Sequence, residues 1–384
     1  MDRIPDRLLI GLTLALKLGV FGIGLLVHAW LNGGLDGREA FEVWNRWDAP
    51  HYLDLVVFGY RAEDAGNLIG PGGYRSVYPG DLPLYIVFYP LFPWVATALN
   101  AVIGDPLISA LLVATAASLV VAPLMYRLVR QDEPPGVALR AAWFLLVFPT
   151  AYFLHIGYTE SLFLALVLGS FLAARTERWW LAGILGGLAA LTRINGLILL
   201  LALPAEAFTQ WLTAPRGERR LRPEWLAIGL VGVGFAAYLG LNQVVYGHPF
   251  EFLRVQSDHW FKEAAPPWEA IASAFGWFRA EDLEDVILYA VLELGFVALG
   301  LVGVIVAALR LRPAYFAWMA GNWLLFTSTS FLLSVPRYTL TLFPLMILMG
   351  LVARRTWVLV LLSVVSLAGF VVFAARFASG VWAF

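Results

Sequence analysis

Apolar segments long enough to cross a lipid bilayer recur along the whole chain, separated by polar turns. A membrane helix needs about 20 apolar residues to span roughly 30 Å of hydrocarbon. The pattern therefore predicts a bundle of about 11 membrane helices. The apolar windows fall at residues 8–30, 84–103, 107–130, 138–157, 160–175, 179–203, 225–246, 285–309, 314–333, 337–353 and 356–375.

The composition agrees with an all-α polytopic membrane protein. Of the 384 residues, 60% are hydrophobic and only 14% are charged. No sequence repeat, low-complexity tract or linker divides the chain, so we expect a single integral membrane domain over residues 1–384. The first apolar window is too long for the core of a cleaved signal peptide, and we expect it to be a retained first helix.

Net charge and cysteine content exclude several classes of function. The net charge is −1, which gives no electrostatic basis for binding nucleic acid. The chain has no cysteine, so disulfides, thiolate metal sites and a cysteine nucleophile are ruled out. The lipid bilayer is the one partner that the composition itself predicts.

Two long polar segments interrupt the apolar pattern, at residues 31–83 and 247–284. The first holds four basic and eight acidic residues and the second holds three and seven, which gives each a net charge of −4. Loops rich in Lys and Arg favour the cytoplasmic side of a membrane. We therefore expect a multi-pass protein of the cell membrane with both acidic segments outside. The basic turns that we assign to the cytoplasm are 204–224, 310–312 and 354–355.

One group of arginines conflicts with this topology. Arg127, Arg130 and Arg140 fall in a loop that strict counting of the windows places outside. Either a neighbouring window is re-entrant rather than spanning, or the charge rule fails locally.

The stretch NRWDAPHYLDLVVFGY, residues 45–60, concentrates polar and aromatic residues in the first polar segment. Helical spacing of its aromatic and apolar positions predicts a short amphipathic helix or helix pair over 44–56, on the outer surface of the bilayer. Asp48 would then face the membrane-embedded body. Ala49 and Pro50 follow Asp48, which favours a helix N-cap at this position. The alternative is that Asp48 is a catalytic carboxylate. The residues with this spacing are Trp44, Trp47, His51 and Leu55.

Further ionisable residues occur at membrane depth, where they are costly and tend to be functional. Glu160 lies in HIGYTESLF, Arg193 and Asn195 lie in LTRINGL, and Arg337 and Tyr338 lie in SVPRYTLTLFP. The alternatives are that Glu160 caps a helix, Arg193 reaches back to the interface and Arg337 only marks an interface. Taken together, a carboxylate can deprotonate or position a hydroxyl group, and arginines can bind a phosphate through paired hydrogen bonds.

A glycine within the stretch LTRINGL strengthens that interpretation. Gly196 would ease a break in the helix, which would let backbone amides join the site. The combination predicts an extracytoplasmic site where a lipid-linked phosphate is held while a hydroxyl attacks.

Five blocks in this order resemble the motif series of the PIG-V-type mannosyltransferases. They are RWDAPHYLDLVVFGY (46–60), FYPLFP (88–93), YTESLFLAL (158–166), LTRINGL (191–197) and PRYTLTLFPL (336–345). The resemblance implies a GT-C-type bundle with amphipathic surface helices in the first outer loop. It also implies an inverting enzyme that moves a sugar, mannose by analogy, from a polyprenyl-phosphate carrier to a hydroxyl acceptor.

The resemblance also implies roles for individual residues. Asp48 matches the family's catalytic or acceptor-orienting aspartate, and His51 matches a variable position after it. The donor phosphate would be bound by the residues of two blocks, Arg193, Asn195, Arg337 and Tyr338. Glu160 and Tyr158, from the third block, are further candidates.

Two segments suggest an acceptor site particular to this chain. The glycine-rich stretch 66–85 departs from the family pattern, and its Tyr74, Arg75 and Tyr78 could shape such a site. In the second outer segment, His259 and Trp260 either contact the acceptor or belong to a plain interfacial loop.

We expect no cofactor, and we do not favour a divalent cation. Asp48 and Asp54 could bind a metal together with Glu160, but positions six apart lie on different faces of a helix. The main alternative function is a transporter or flippase of a lipid-linked sugar, which predicts charges spread through the helices and related halves. A non-enzymatic scaffold is a second alternative, and a serine hydrolase lacks its nucleophile motif.

Overall fold

The computed structural model describes residues 4–34, 38–64, 66 and 68–384, and this part of the chain is helical without a β-strand. The α-helices are α1 (Ile4–Asn32), α2 (Glu39–Glu42), α3 (Ala49–Phe58), α4 (Leu91–Ile103), α5 (Pro106–Val129), α6 (Pro135–Val147), α7 (Glu160–Arg175), α8 (Trp179–Thr192), α9 (Leu199–Thr213), α10 (Leu230–Tyr246), α11 (Glu251–Asp258), α12 (Pro267–Gly276), α13 (Leu283–Asp285), α14 (Glu293–Arg310), α15 (Pro313–Thr327), α16 (Val335–Thr339), α17 (Pro344–Val352) and α18 (Thr356–Ala378). Short 3₁₀ segments cover Pro71–Gly73, Pro79–Val87, Ala151–Leu154, Ile194–Ile198, Arg216–Glu218, Pro223–Gly229 and Trp277–Arg279, and a π-helical turn covers Val286–Leu292.

The described chain confirms the predicted all-α membrane protein. Six of its helical segments are long and apolar enough to cross a membrane, and shorter apolar helices lie between them. Close packing of small residues joins some of these helices. A Cβ on Gly234 of α10 would lie 2.0 Å from the carbonyl oxygen of Gly187 in α8, so only glycine permits this approach.

The first polar segment begins and ends at the same end of the bundle. Asp6 near the start of α1 pairs with Arg127 near the end of α5, whereas Arg38 just beyond α1 pairs with Asp105 before α5. Helices α1 and α5 are therefore antiparallel, and the intervening α4 does not cross the bundle. Its 13 residues span about 20 Å, which is short of the hydrocarbon thickness. The crossing predicted for 84–103 is not confirmed.

Ion pairs gather the basic turns at the opposite end of the bundle. Asp132 in the turn after α5 pairs with Arg175 at the end of α7, at 2.5 Å, and Glu206 of α9 pairs with Arg312 before α15, at 2.8 Å. The arginines around the α5–α6 turn thus lie beside the other basic turns. Of the two explanations given for their position, the structure supports a neighbouring window that does not span.

The window 179–203 is two antiparallel helices rather than one. Helix α8 ends at Thr192, Arg193 is extended, and α9 begins at Leu199 and returns towards the basic end. Gly196 lies in the break, where a Cβ would stand 2.4 Å from the backbone nitrogen of Ala190. The helix break expected at Gly196 is therefore present, and it places Arg193 at the turn between the two helices.

The segment 44–56 is not a single helix from Trp44 onwards. Trp47 has a φ of 56°, a left-handed conformation that interrupts the helix, and α3 begins only at Ala49. Every residue from Ala49 to Val56 is buried. Helix α3 is therefore internal to the protein, because the segment leading into α4 packs over it.

Candidate active site

One arginine joins the carboxylates of the first and third sequence blocks. The Nη1 atom of Arg337 donates to Oδ2 of Asp48 at 2.6 Å, and its Nε atom donates to Oε1 of Glu160 at 2.6 Å. The same Glu160 oxygen accepts from Nη1 of Arg193 at 2.5 Å. The side chain of Glu160 is fully buried, whereas that of Asp48 is 32% exposed. These four residues, the ionic cluster, thus have Asp48 as their most exposed member.

Arg337 is held in place by a capped helix and two aromatic rings. Glu293 of α14 accepts from the backbone N–H groups of Ser334 and Val335, at 2.7 and 2.9 Å, which caps the short helix α16. The guanidinium lies 4.6 Å from the ring centre of Phe153 and 4.8 Å from that of Tyr158. Such contacts stabilise a buried cation. The side chain therefore has little freedom to leave the cluster.

Asp48 occupies the N-cap position of α3, but its side chain makes no capping hydrogen bond. The N–H of Asp48 instead donates to the hydroxyl of Tyr158 at 3.1 Å, and that hydroxyl donates to the carbonyl of Arg46 at 2.7 Å. The carboxylate is thus free to bind Arg337. The structure therefore does not support the first of the two roles considered for Asp48, that of a side-chain N-cap.

The electrostatic surroundings keep Asp48 ionised. Burial acts to raise its pKa, but the charge and hydrogen bond of Arg337 outweigh burial, and the pKa lies below the ordinary value. His51, one helical turn further along, has its pKa lowered to about 4 by burial, against the opposing effect of Asp48. At neutral pH the site therefore presents an anionic carboxylate beside a neutral imidazole.

The C-terminal residues cover the tryptophans that precede α3. Trp44 stacks on Phe377 with ring centres 5.9 Å apart, and Trp47 meets Trp382 edge-on at 5.0 Å. Phe377 also packs against Tyr158 at 5.8 Å. The tryptophans thus fix the Asp48 loop through protein contacts. The resemblance blocks end at residue 345, so they gave no signal for this contact.

A lysine that the sequence analysis did not single out lies next to the cluster. The Nζ atom of Lys262 is 5.4 Å from the ring centre of Tyr338, and the guanidinium of Arg193 is 5.7 Å from the same ring. Lys262 belongs to the second polar segment, which the fold brings over α16. The chain has only two lysines, Lys17 and Lys262, and this rarity was the one signal available.

Two predicted site residues stand apart from the ionic cluster. The amide of Asn195 donates to the side-chain oxygen of Asn322 at 2.7 Å, so this buried side chain ties the α8–α9 turn to α15. Arg75 is exposed in the glycine-rich stretch. The structure brings Tyr158, Arg193, Arg337 and Tyr338 together.

The carboxylate of Asp54 has a separate set of partners. It accepts hydrogen bonds from Tyr74, Ser76 and Tyr85, at 2.8, 2.6 and 3.3 Å. Burial raises its pKa, against the effect of these hydroxyl groups. Asp54 therefore fastens the glycine-rich stretch to α3. Within the described residues, no group of three or more His, Asp or Glu side chains has an arrangement that could hold a metal ion.

Comparison with known proteins finds one matching family model and solved structures of similar fold. Residues 83–247 match the family model described as dolichyl-phosphate-mannose-protein mannosyltransferase. The crystal structure of ArnT from Cupriavidus metallidurans bound to undecaprenyl phosphate is 17% identical, with a TM-score of 0.50, and covers 90% of this chain. The chain and this structure share a fold.

The remaining comparisons add less. The oligosaccharyltransferase of Archaeoglobus fulgidus is 12% identical with a TM-score of 0.45, and covers 96% of this chain. This chain spans 60% of the length of ArnT and 56% of that oligosaccharyltransferase. No curated protein matches the sequence.

Proposed function

We propose that the protein transfers a sugar from a polyprenyl-phosphate carrier to a hydroxyl acceptor, with inversion at the anomeric carbon. The observation that carries the proposal is the ionic cluster, in which an anionic Asp48 lies beside two arginines. The match of residues 83–247 to a mannosyltransferase family supports mannose as the sugar. The likeness in fold to a structure that holds undecaprenyl phosphate supports the carrier, and the ordered blocks favour a PIG-V-type relative.

In this mechanism the cations stabilise the leaving group. The acceptor oxygen forms a bond to the anomeric carbon, while the bond from that carbon to the phosphate oxygen breaks and its electron pair stays on the phosphate. Negative charge therefore grows on the phosphate in the transition state. Arg193, Arg337 and Lys262 supply the positive charge there, so the proposal uses no metal ion.

Asp48 takes the proton of the acceptor hydroxyl. While Arg337 binds it, Asp48 is a weak base, because that contact lowers its pKa. A donor phosphate bound beside Arg337 would share the positive charge of its guanidinium without moving the side chain. The pKa of Asp48 would then rise towards its ordinary value, so that donor binding strengthens Asp48 as a base.

We place the reaction at the extracytoplasmic face of the cell membrane. The two polar segments that bear Asp48 and Lys262 are acidic, and the turns at the opposite end of the bundle are basic. The positive-inside rule assigns the basic end to the cytoplasm. The donor is therefore expected to present its sugar outside.

The test is sugar transfer by the purified protein in nanodiscs. The donor is polyprenyl-phosphate mannose, the readout is release of polyprenyl phosphate, and Asp48→Asn is run alongside. Release by the wild type and not by the variant is the expected result. Equal release by both would overturn the role of Asp48. Movement of the donor between leaflets without release would identify a flippase instead, and polyprenyl-phosphate glucose would test the choice of sugar.

A further inference from the structure

His51 lies at the centre of an aromatic cluster that adjoins the proposed base. Its ring centre is 4.7 Å from that of Tyr85, 5.0 Å from Phe88, 5.4 Å from Tyr78 and 5.7 Å from Trp260. These five residues, the His51 cluster, come from three separate parts of the outer region. Because His51 is one helical turn from Asp48, the cluster and the base share one side of α3.

The two outermost rings of the cluster are presented to the surroundings by anchored segments. Tyr78 is 42% exposed and Trp260 is 36% exposed. Asp54 binds Tyr74, Ser76 and Tyr85 around Tyr78. Trp260 directly precedes the Lys262 segment, where Ser330 fixes the chain by accepting from the N–H of Glu263 at 3.2 Å. The rings are thus held in position rather than placed on a free loop.

His51 adds a buried nitrogen atom to the cluster. The side chain is only 8% exposed, and its Nδ1 atom has no hydrogen-bond partner among the residues that the structure describes. A buried polar atom without a partner is unfavourable, and such atoms are often explained by a functional role. The half-exposed rings and this imidazole together offer apolar faces beside a polar group, which is the usual composition of a small-molecule site.

The charge of the surrounding segments limits which chemical class of ligand could bind. Both polar segments have more acidic than basic residues, with a net charge of −4 each. An anionic acceptor would be repelled, apart from the local cations proposed for the donor phosphate. A neutral pyranose ring has an apolar C–H face for an aromatic ring and hydroxyl groups for an imidazole. A pyranose bound at His51 would also place its hydroxyl groups near Asp48, because His51 is one helical turn from Asp48.

We propose that the His51 cluster is the acceptor subsite and that it takes a neutral pyranoside, whose ring stacks on Trp260 and Tyr78. This inference rests on the proposed function, because it names the acceptor of the same reaction. The sugar hydroxyl that reacts would face Asp48, and the aglycone would point away from α3. Peptide hydroxyl groups lack the flat C–H face that the two rings fit.

The experiment measures binding and transfer separately. Saturation-transfer NMR with the protein in nanodiscs tests the methyl glycosides of mannose, glucose, galactose and N-acetylglucosamine without any donor. Transfer is then followed with polyprenyl-phosphate mannose and each glycoside, beside a peptide that contains serine and threonine. The variants are Trp260→Ala, Trp260→Phe and Trp268→Ala, since Trp268 is exposed on the same polar segment but outside the cluster.

We expect at least one glycoside to bind the wild type and to be the better acceptor. Loss of one stacking ring should weaken binding about fivefold to tenfold in Trp260→Ala. Trp260→Phe should retain most binding, which guards against misfolding, and Trp268→Ala should match the wild type. Equal binding by Trp260→Ala and wild type, no glycoside binding at all, or transfer only to the peptide would each overturn the inference.

The two proposals fail in different ways. Donor consumption with the peptide but with no glycoside would leave the proposed function standing and refute the saccharide subsite. Glycoside binding that depends on Trp260, without release of polyprenyl phosphate from any donor, would leave the subsite standing and refute the proposed function.

Discussion

Arg193 and Arg337 donate to the same oxygen of Glu160, at 2.5 and 2.6 Å. The two guanidinium groups come from the α8–α9 turn and from α16, and a fully buried carboxylate holds them together. Two arginines so close to each other need a shared anion. Glu160 is therefore a positioning residue that sets the spacing of the proposed phosphate-binding cations.

Glu160→Gln should remove activity beyond its effect on stability. Loss of one partner from a buried ion pair costs about 3–5 kcal/mol, and the arginines would also separate. We expect kcat per folded molecule to fall by about 100-fold or more. The matched control is Glu206→Gln, because Glu206 is equally buried and binds Arg175 and Arg312 at the opposite end. It should lower the Tm while the folded protein stays active.

Asp48→Asn should impair chemistry while leaving the helix intact. Because Asp48 makes no capping bond, α3 should persist, although loss of the ion pair with Arg337 should lower the Tm. The kcat per folded molecule should fall by about 100-fold to 10,000-fold. Asp105 gives the opposite case, since its carboxylate accepts from the N–H of Ile108 and caps α5. Asp105→Ala should cost about 1 kcal/mol of stability with kcat retained. Near-normal turnover by Asp48→Asn would refute its role as the base.

Lys262→Met should weaken donor binding. If Lys262 contacts the donor phosphate, its loss should raise KM for the donor about tenfold and change kcat less. Arg254→Met is the control, because Arg254 lies in the same segment but is exposed and pairs with Glu251 and Asp258. Titration of activity with salt would separate a specific contact from general screening. An unchanged donor KM in Lys262→Met would remove Lys262 from the phosphate site.

His51 should make the protein sensitive to moderate acid. Burial lowers the pKa of His51 to about 4 in the folded state, whereas the ordinary pKa is 6.5. Between these pH values the unfolded chain binds a proton that the folded chain does not. The contribution of His51 to the free energy of unfolding is therefore fully present above about pH 6.5, and it is lost as the pH decreases towards 4. His51→Gln should flatten this part of the Tm profile. An identical slope in wild type and variant would contradict the buried neutral imidazole.

The sequence selected candidate residues but not their arrangement. Glu160, Arg193 and Arg337 could be singled out because charged side chains at membrane depth are costly, and Asp48 because it lies in the polar and aromatic stretch 45–60. Their pairing could not, since Asp48 and Arg337 are 289 positions apart and no local pattern encodes which helices meet. Lys262 was missed for the same reason, because its neighbour Tyr338 lies in a distant block.

The membrane crossings show where the hydrophobic pattern is ambiguous. The window at 84–103 is apolar enough to suggest a span, but α4 is short and returns to the same end of the bundle. Hydropathy alone does not distinguish a buried short helix from a membrane span. The window at 179–203 contains a reversal of chain direction that the hydrophobic pattern did not show, because apolar residues continue through the α8–α9 turn.

Gly196→Ala should test whether this reversal positions Arg193. The added Cβ would lie 2.4 Å from the backbone nitrogen of Ala190, so the α8–α9 turn must move away from α8. Overpacking of this kind costs about 1–3 kcal/mol, and Arg193 would shift from Glu160. Gly229→Ala is the control, because nothing lies within 4 Å of its added Cβ. We expect Gly196→Ala to raise the donor KM at a temperature where it is still folded, whereas a normal KM would mean that Arg193 does not depend on this turn.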